Sequence, residues 1–240
     1  MLSRAELKTK AKDQLRGNWS NAALATLILS IISIIIQSFM IPNIELNTIN
    51  MNTITILVFS LCITTLINIY SLLTQSFLYL TLTKEKKIKF SNLLVSPRIY
   101  FKFILFNLLK MLLFIPLFLM VIGLTVYGNI ILMYILTILV LLLFIIVELY
   151  TSQIPFILVD NPKINIIEVI KKSFFLMKGN LITLLILNLS FIGWSIANVF
   201  TWFVGSIFLY PYIFTTKANF YIELKKLKYN KSEEESSINL

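Results

Sequence analysis

An all-α, polytopic membrane bundle is the fold this sequence predicts: six transmembrane helices paired as three hairpins, with amphipathic helices on the cytoplasmic surface. Three observations predict it. The 240 residues are 58% hydrophobic and only 13% charged, with a mean hydropathy of +0.87, more apolar surface than one soluble core can hide. Apolar runs near or above the roughly 20 residues needed to cross a bilayer recur at about 22–41, 54–83, 103–126, 130–150, 181–199 and 202–222. All but one of the 21 Lys and Arg residues fall in four segments that alternate with pairs of these runs.

The first basic segment, with Arg4, Lys8, Lys10, Lys12 and Arg16, reads as a surface helix over 3–17. Ser3 and Glu6 form a capping box, Leu2 staples on Leu7, and Gly17 ends the helix. Leu7, Ala11 and Leu15 line one face beside Lys8, Lys12 and Arg16, the pattern of a helix lying at the headgroups with its cations toward anionic lipid. A merely solvated helix is the alternative.

The run 22–41 ends at Ile41-Pro42-Asn43 with no small-residue cleavage site, so it is expected to remain as an anchor. On the second run Asn68, Ser71 and Gln75 follow i, i+3, i+7 spacing and share a face, suited to hydrogen bonding between helices. Cys62 on the same run reads as a free buried thiol. The next basic segment holds Lys84, Lys86, Lys87, Lys89, Arg98 and Lys102.

The third and fourth runs carry the two ionisable residues at membrane depth, Lys110 and Glu148. Both lie 19 residues from Asn129 in the Gly128-Asn129 turn, so an antiparallel hairpin brings them to one level. That symmetry predicts an intramembrane ion pair. Snorkelling of Lys110 to the inner headgroups, with Glu148 in a cytoplasmic vestibule, is the competing arrangement.

A second surface helix is expected over 162–178, capped by Asp160 or Asn161 with Pro162 in its first turn and Gly179 after it. Ile164, Ile167, Ile170, Phe174 and Met177 make its apolar face. Lys163, Lys171, Lys172 and Lys178 belong to this segment, and Lys217, Lys225, Lys226, Lys228 and Lys231 to the last. The last two runs meet around Asn198 to Thr201 without a strong turn dipeptide, and Pro211 kinks the final one. Residues 1–222 thus form one membrane domain and 223–240 a polar tail. The connections 42–53, 127–129 and 200–201 carry no Lys or Arg, which places both termini in the cytoplasm. Trp19, Tyr79, Tyr100, Tyr150 and Tyr221 fall near the expected cytoplasmic boundaries and Tyr127 and Trp202 near the external ones, whereas Trp194 is less well placed.

With no histidine and one cysteine, the usual ligands of zinc, haem and iron–sulfur groups are missing, and so is Cys–His or Ser–His nucleophilic chemistry. No nucleotide-binding loop or paired carboxylates stand at useful spacing. No metal, cofactor or enzymatic activity is therefore expected. Topology accounts for the cations, so nucleic acid is not expected as a partner; membrane lipids with anionic headgroups are, and self-association or a partner in a membrane complex stays open.

Leu15-Arg16-Gly17-Asn18 is echoed by Met177-Lys178-Gly179-Asn180, each ahead of an apolar run. Residues Pro155 to Pro162, then Ser173, Met177-Lys178-Gly179 and Leu189-Ser190-Phe191-Ile192-Gly193-Trp194, form a longer signature. With Arg4-Ala5-Glu6-Leu7-Lys8, Gly17-Asn18-Trp19, Pro211-Tyr212 and Phe220-Tyr221, it resembles an uncharacterised family of integral membrane proteins from Gram-positive bacteria, catalogued as domain of unknown function 975. The resemblance implies a multi-pass protein of the bacterial plasma membrane, with no established activity and no catalytic residues. The expected function is accordingly non-enzymatic, as a lipid-facing scaffold or a factor in tolerance of membrane-active peptides. A small transporter or permease subunit for an apolar or amphipathic solute, or an accessory subunit of an export complex, is the alternative.

Overall fold

A computed structural model describes residues 2–40, 51–126 and 130–238; the 127–129 connection and most of the 42–53 connection lie outside them. Among the described residues all regular structure is helical. In chain order it comprises α1 (Arg4–Leu15), α2 (Trp19–Met40), α3 (Met51–Glu85), a 3-10 turn (Phe90–Leu93), α4 (Pro97–Val126), α5 (Ile130–Thr151), α6 (Ile154–Asp160), α7 (Ile166–Met177), α8 (Leu181–Leu189), α9 (Ile192–Phe200) and α10 (Ser206–Ile238).

Among the described residues five stretches are long and apolar enough to cross a membrane: Trp19–Phe39, Ile54–Glu85, Phe90–Leu124, Ile130–Asp160 and Leu181–Phe200. The fifth is divided at Ser190-Phe191 into α8 and α9. The run 202–222 is not among the five; its helix begins only at Ser206, contains Pro211 and continues unbroken past the expected tail boundary to Ile238.

The helices gather into two compact units, Met1–Ser96 with Ser190–Leu227 and Pro97–Leu189 with Lys228–Leu240. In the first, the reciprocal bonds of the capping box start α1: Ser3 N–H donates to Glu6 Oε2 at 2.6 Å and Glu6 N–H to Ser3 Oγ at 3.2 Å. Leu7, Ala11 and Leu15 are completely buried within this unit. The apolar stripe of the helix expected at the headgroups is therefore covered by protein: α1 packs against α3, and on its flank Asn219 of α10 donates to Gln14 at 2.6 Å and Lys10 pairs with Glu223 at 3.4 Å. Deeper in the unit, Thr26 and Tyr79 hydroxyls lie 3.0 Å apart between α2 and α3.

In the second unit α7 packs on α5 and α6. Its buried face is Val169, Ser173, Leu176 and Met177, while Ile167 and Phe174 are exposed. The helix is rotated from the face that hydropathy marks because the Ser173 hydroxyl donates to the Tyr150 carbonyl at 2.6 Å, and the Tyr150 ring stacks on Phe174 at 4.7 Å.

The expected cap of this helix is also displaced. Asn161 closes α6 with φ −140°, and Asn165 in extended backbone precedes α7. Two causes act together. A residue before proline is driven out of the helical region, and Lys102 holds the 162–164 turn by donating to the Pro162 and Ile164 carbonyls at 2.8 and 2.7 Å. Asp160, Asn161 and Pro162 thus end one helix instead of starting the next.

The sequence echo has a structural counterpart. Gly17 and Gly179 both take positive φ, 82° and 85°, after α1 and α7, a conformation that costs glycine nothing and other residues steric strain. The asparagine that follows then bonds back to the finished helix: Asn18 Nδ2 donates to the Gln14 carbonyl and Asn180 Nδ2 to the Leu176 carbonyl, each at 3.3 Å. Each asparagine carbonyl accepts from the first turn of the next helix, from Ala22 and Leu184. The same four residue types build the same helix-to-helix corner twice.

Candidate functional site

Two places concentrate polar groups against apolar surface, one in each unit. In the second unit, Lys110 Nζ lies 2.6 Å from Glu148 Oε1, joining α4 to α5. The pair belongs to a ladder with a single register. One turn further toward the hairpin tip, Phe114 and Phe144 meet edge to face at 5.2 Å; these two residues are again equidistant from Asn129. Phe106, one turn before Lys110, presents its ring 5.7 Å from the ammonium. The side chains are 21% and 42% exposed, and both are flanked by apolar positions of the two longest uncharged stretches on these helices. In hydrocarbon, a charge so placed is kept by its counter-ion, and the ring face adds a second favourable contact for the cation.

The polar face of the second run is distributed differently from expectation. Asn68 is exposed on α3, Ser71 is half-buried and Gln75 is buried. Gln75 Nε2 donates to Ser71 Oγ at 3.1 Å, one turn apart on the same helix, because i, i+4 neighbours reach each other more easily than a facing helix can reach either. Its Oε1 is buried with no partner among the described residues. These residues do not join the Lys110–Glu148 pair, which belongs to the other unit. Cys62, expected to be buried, is exposed on α3.

The sequence reading did not anticipate the site in the first unit. A groove of about 680 Å³ opens between α1, the start of α2, α9 and the start of α10. Its cationic end is Lys12 and Arg16, one helical turn apart; its apolar walls include Trp19, Trp194, Phe208 and Tyr212. Trp19 packs on Phe208 at 6.4 Å, the Lys12 ammonium sits 5.6 Å over the Tyr212 ring, and Phe191 meets Tyr212 edge to face at 5.4 Å. One turn before Lys12 and outside the groove's lining, Lys8 donates to the Ser190 carbonyl at 3.2 Å with its ammonium 4.4 Å over Phe191. Partial burial, and then Lys12 and Arg4 on the same face of α1, push the Lys8 ammonium below its ordinary pKa. The sequence signal for this groove is Trp194, the tryptophan less well placed for a helix boundary: it serves as a wall.

The floor is a tight turn from Asn198 to Ser206. The Asn198 carbonyl accepts from Phe203 N–H at 3.0 Å, Thr201 Oγ1 accepts from Gly205 N–H at 3.2 Å, and Asn198 Nδ2 donates to Ser206 Oγ at 2.6 Å. Trp202 and Phe203 both take positive φ, 50° and 63°, a strained conformation for bulky side chains. A Cβ on Gly205 would stand 2.7 Å from Asn198 Oδ1 and 3.1 Å from Thr201 Oγ1. Gly205→Ala is therefore expected to destabilise the solubilised protein by about 1–3 kcal/mol through overpacking, read from its unfolding curve, and Asn198→Ala added to it should recover part of the loss. An alanine that leaves stability unchanged would show that the turn is not close-packed.

Comparison with curated proteins and with solved structures finds no match. The model of the family described as a protein of unknown function, DUF975, matches residues 1–228, nearly the whole chain including both sites. The α1–Gly17–Asn18–Trp19 corner, the Pro155–Pro162 stretch and the Ser190–Trp194 segment that the structure brings against Lys8 all lie inside that match, and the chain belongs to this family of unknown function, DUF975.

Proposed function

We propose that this is a multi-pass protein of the bacterial plasma membrane that acts on the bilayer itself without catalysing a reaction, as a lipid-facing scaffold or a factor in tolerance of membrane-active peptides. The observation that carries the reading is the surface of α4 and α5: large apolar side chains are exposed along both helices on every side except the strip around Lys110 and Glu148. Such a surface is stable only against lipid, and an ion-pair-neutralised hairpin offers little chemistry beyond contact with it.

The contacts of residues 190–208 in the first unit support a re-entrant turn there, which leaves α2 to α5 as full crossings in place of six. Helices α8 and α9 have nine residues each, so each extends only about 13 Å against a hydrocarbon core of roughly 30 Å. Ser190 and Phe191 lie beside Lys8, and Phe208 lies against Trp19 at the start of α2. A chain held at the level of α1 at both positions dips into the inner half of the bilayer and returns. The turn at its tip keeps its backbone groups bonded to Asn198 and Thr201, as membrane depth requires, and exposes Phe200, Trp202 and Phe203. The even number of crossings keeps both termini on the cytoplasmic face, with α1 and α7 at that surface.

Matched cells lacking the protein are expected to survive a panel of membrane-active peptides less well than cells carrying it, with survival restored by the intact copy. Equal survival across the panel would remove this reading. The short Lys110–Glu148 contact gives a second one its support: a permease for an apolar or amphipathic solute, gated by the pair. A saturable flux in reconstituted vesicles that is lost with Glu148→Gln would favour it.

A further inference from the structure

We propose that the groove of the first unit holds one anionic phospholipid of the inner leaflet, its phosphodiester between Lys12 and Arg16 and its acyl chains along Trp19, Trp194 and Phe208. The inference rests on the reading of the chain as a bilayer-facing protein with α1 cytoplasmic, and it narrows that reading to a site.

Charge selects the ligand. Lys12, Asp13 and Arg16 line the groove together, leaving one net positive charge. A single negative charge matches it. A phosphodiester carries one, whereas the Asp13 carboxylate stands against the second charge of a phosphomonoester. Among the described residues Arg16 has no side-chain partner and Lys12 has only the Tyr212 ring, so both retain donors for phosphate oxygens.

The pattern of α1 points the same way. Arg4, Lys8, Lys12 and Arg16 recur at every fourth residue, which lines up like charges on one helix face, an arrangement that destabilises a helix by itself. Burial, and after it the neighbouring Lys12 and Arg4 charges, lower the Lys8 pKa, and an anion seated at Lys12 and Arg16 offsets the repulsion along this face.

Depth and shape fit a lipid better than a soluble anion. Arg16 is three residues from Trp19, the first residue of α2, so the boundary between headgroups and hydrocarbon passes along the groove. Below its cations the groove is walled by aromatic rings, of no use to free phosphate and suited to acyl chains. Its volume of about 680 Å³ lies within the roughly 300–1,000 Å³ of small-molecule sites; it encloses a headgroup and the upper chains, and the remainder continues into the bilayer through the open side.

Two of the three tryptophans line the groove, which supplies the assay. Full-length protein carrying Trp202→Phe is reconstituted in phosphatidylcholine bilayers, and phosphatidylglycerol with brominated chains is titrated in. Quenching of Trp19 and Trp194 is expected to saturate at low mole fraction. Lys12→Gln with Arg16→Gln should weaken the apparent affinity roughly 30-fold, the loss of two cationic contacts, whereas Lys87→Gln with Lys163→Gln, an equal charge change at two exposed lysines outside the groove, should leave it unchanged. Brominated phosphatidylcholine should quench gradually without saturation.

Identical curves for the two lipids, or equal weakening by both double variants, would overturn the site in favour of diffuse surface attraction. Reversal of quenching by soluble glycerophosphate would overturn it in favour of a free anion. No quenching by either lipid would overturn it in favour of a peptide or protein segment in the groove. The two readings fail separately. Saturable quenching without a survival defect in cells lacking the protein keeps the site and removes the protective role; a survival defect without saturable quenching does the reverse.

Discussion

Replacing Lys110 alone or Glu148 alone with methionine is expected to abolish most accumulation of folded protein, and replacing both is expected to restore it. The argument is one of solvation. The two groups meet at 2.6 Å among exposed apolar side chains of α4 and α5, so if these helices cross the bilayer as proposed, the exposed fraction of each side chain faces lipid. Removing one partner leaves a lone charge in hydrocarbon, which costs about 2.5–3.5 kcal/mol on insertion scales, and breaking a desolvated pair in proteins costs about 3–5 kcal/mol. Against a total stability of about 5–15 kcal/mol, either single change takes a large share. The double replacement leaves no charge to solvate and extends the apolar ladder already formed by Phe114 and Phe144, an exchange that is often neutral or stabilising. The check is the yield of monodisperse solubilised protein and the unfolding free energy of all four forms. A double variant as damaged as either single one would show that the residues act separately and that their proximity carries no coupling.

What the sequence made legible, and what it hid, divides along a physical line. Features set by local chemistry were readable: the Ser3–Glu6 box, the glycines that end α1 and α7, and the meeting of Lys110 with Glu148, because positions equidistant in sequence from the connection face each other when two consecutive helices pack side by side. Features set by tertiary competition were not. Hydropathy cannot tell whether Leu7, Ala11 and Leu15 will meet lipid or a neighbouring helix, and the answer lies in the packing of α1 on α3, with Asn219 and Glu223 of α10 bonded to its flank. The rotation of α7 follows a serine hydroxyl that no apolar pattern marks, and its cap moved because Lys102 claimed the carbonyls of the preceding turn. The groove escaped notice for a related reason: its walls come from Trp19, Trp194 and Phe208, which the sequence places ahead of the first apolar run and within the fifth and sixth. Apolar runs of the right length likewise do not distinguish a crossing from a dip, since both need the same side chains and differ only in where the chain ends are held.

That last distinction has a binary consequence at Trp202, which is 89% exposed at the tip of the α9–α10 turn. If 181–199 and 202–222 crossed the bilayer as a hairpin, this residue would stand on the outer surface. In the re-entrant arrangement it stays short of the outer surface, because Phe208, six residues on, is packed against the start of α2, and even a fully extended six-residue link reaches only about 20–22 Å, less than the roughly 30 Å hydrocarbon core. The single native cysteine, Cys62, makes the test clean. On a Cys62→Ser background, Trp202→Cys is expected to resist a membrane-impermeant maleimide applied to intact cells. Asn47→Cys, in a connection that the charge distribution assigns to the outside, should be labelled, and Lys87→Cys should react only in inverted vesicles. Labelling of Trp202→Cys from outside at the rate of Asn47→Cys would restore six crossings. It would also draw Phe208 away from Trp19, so the groove and the re-entrant turn stand or fall on the same contact.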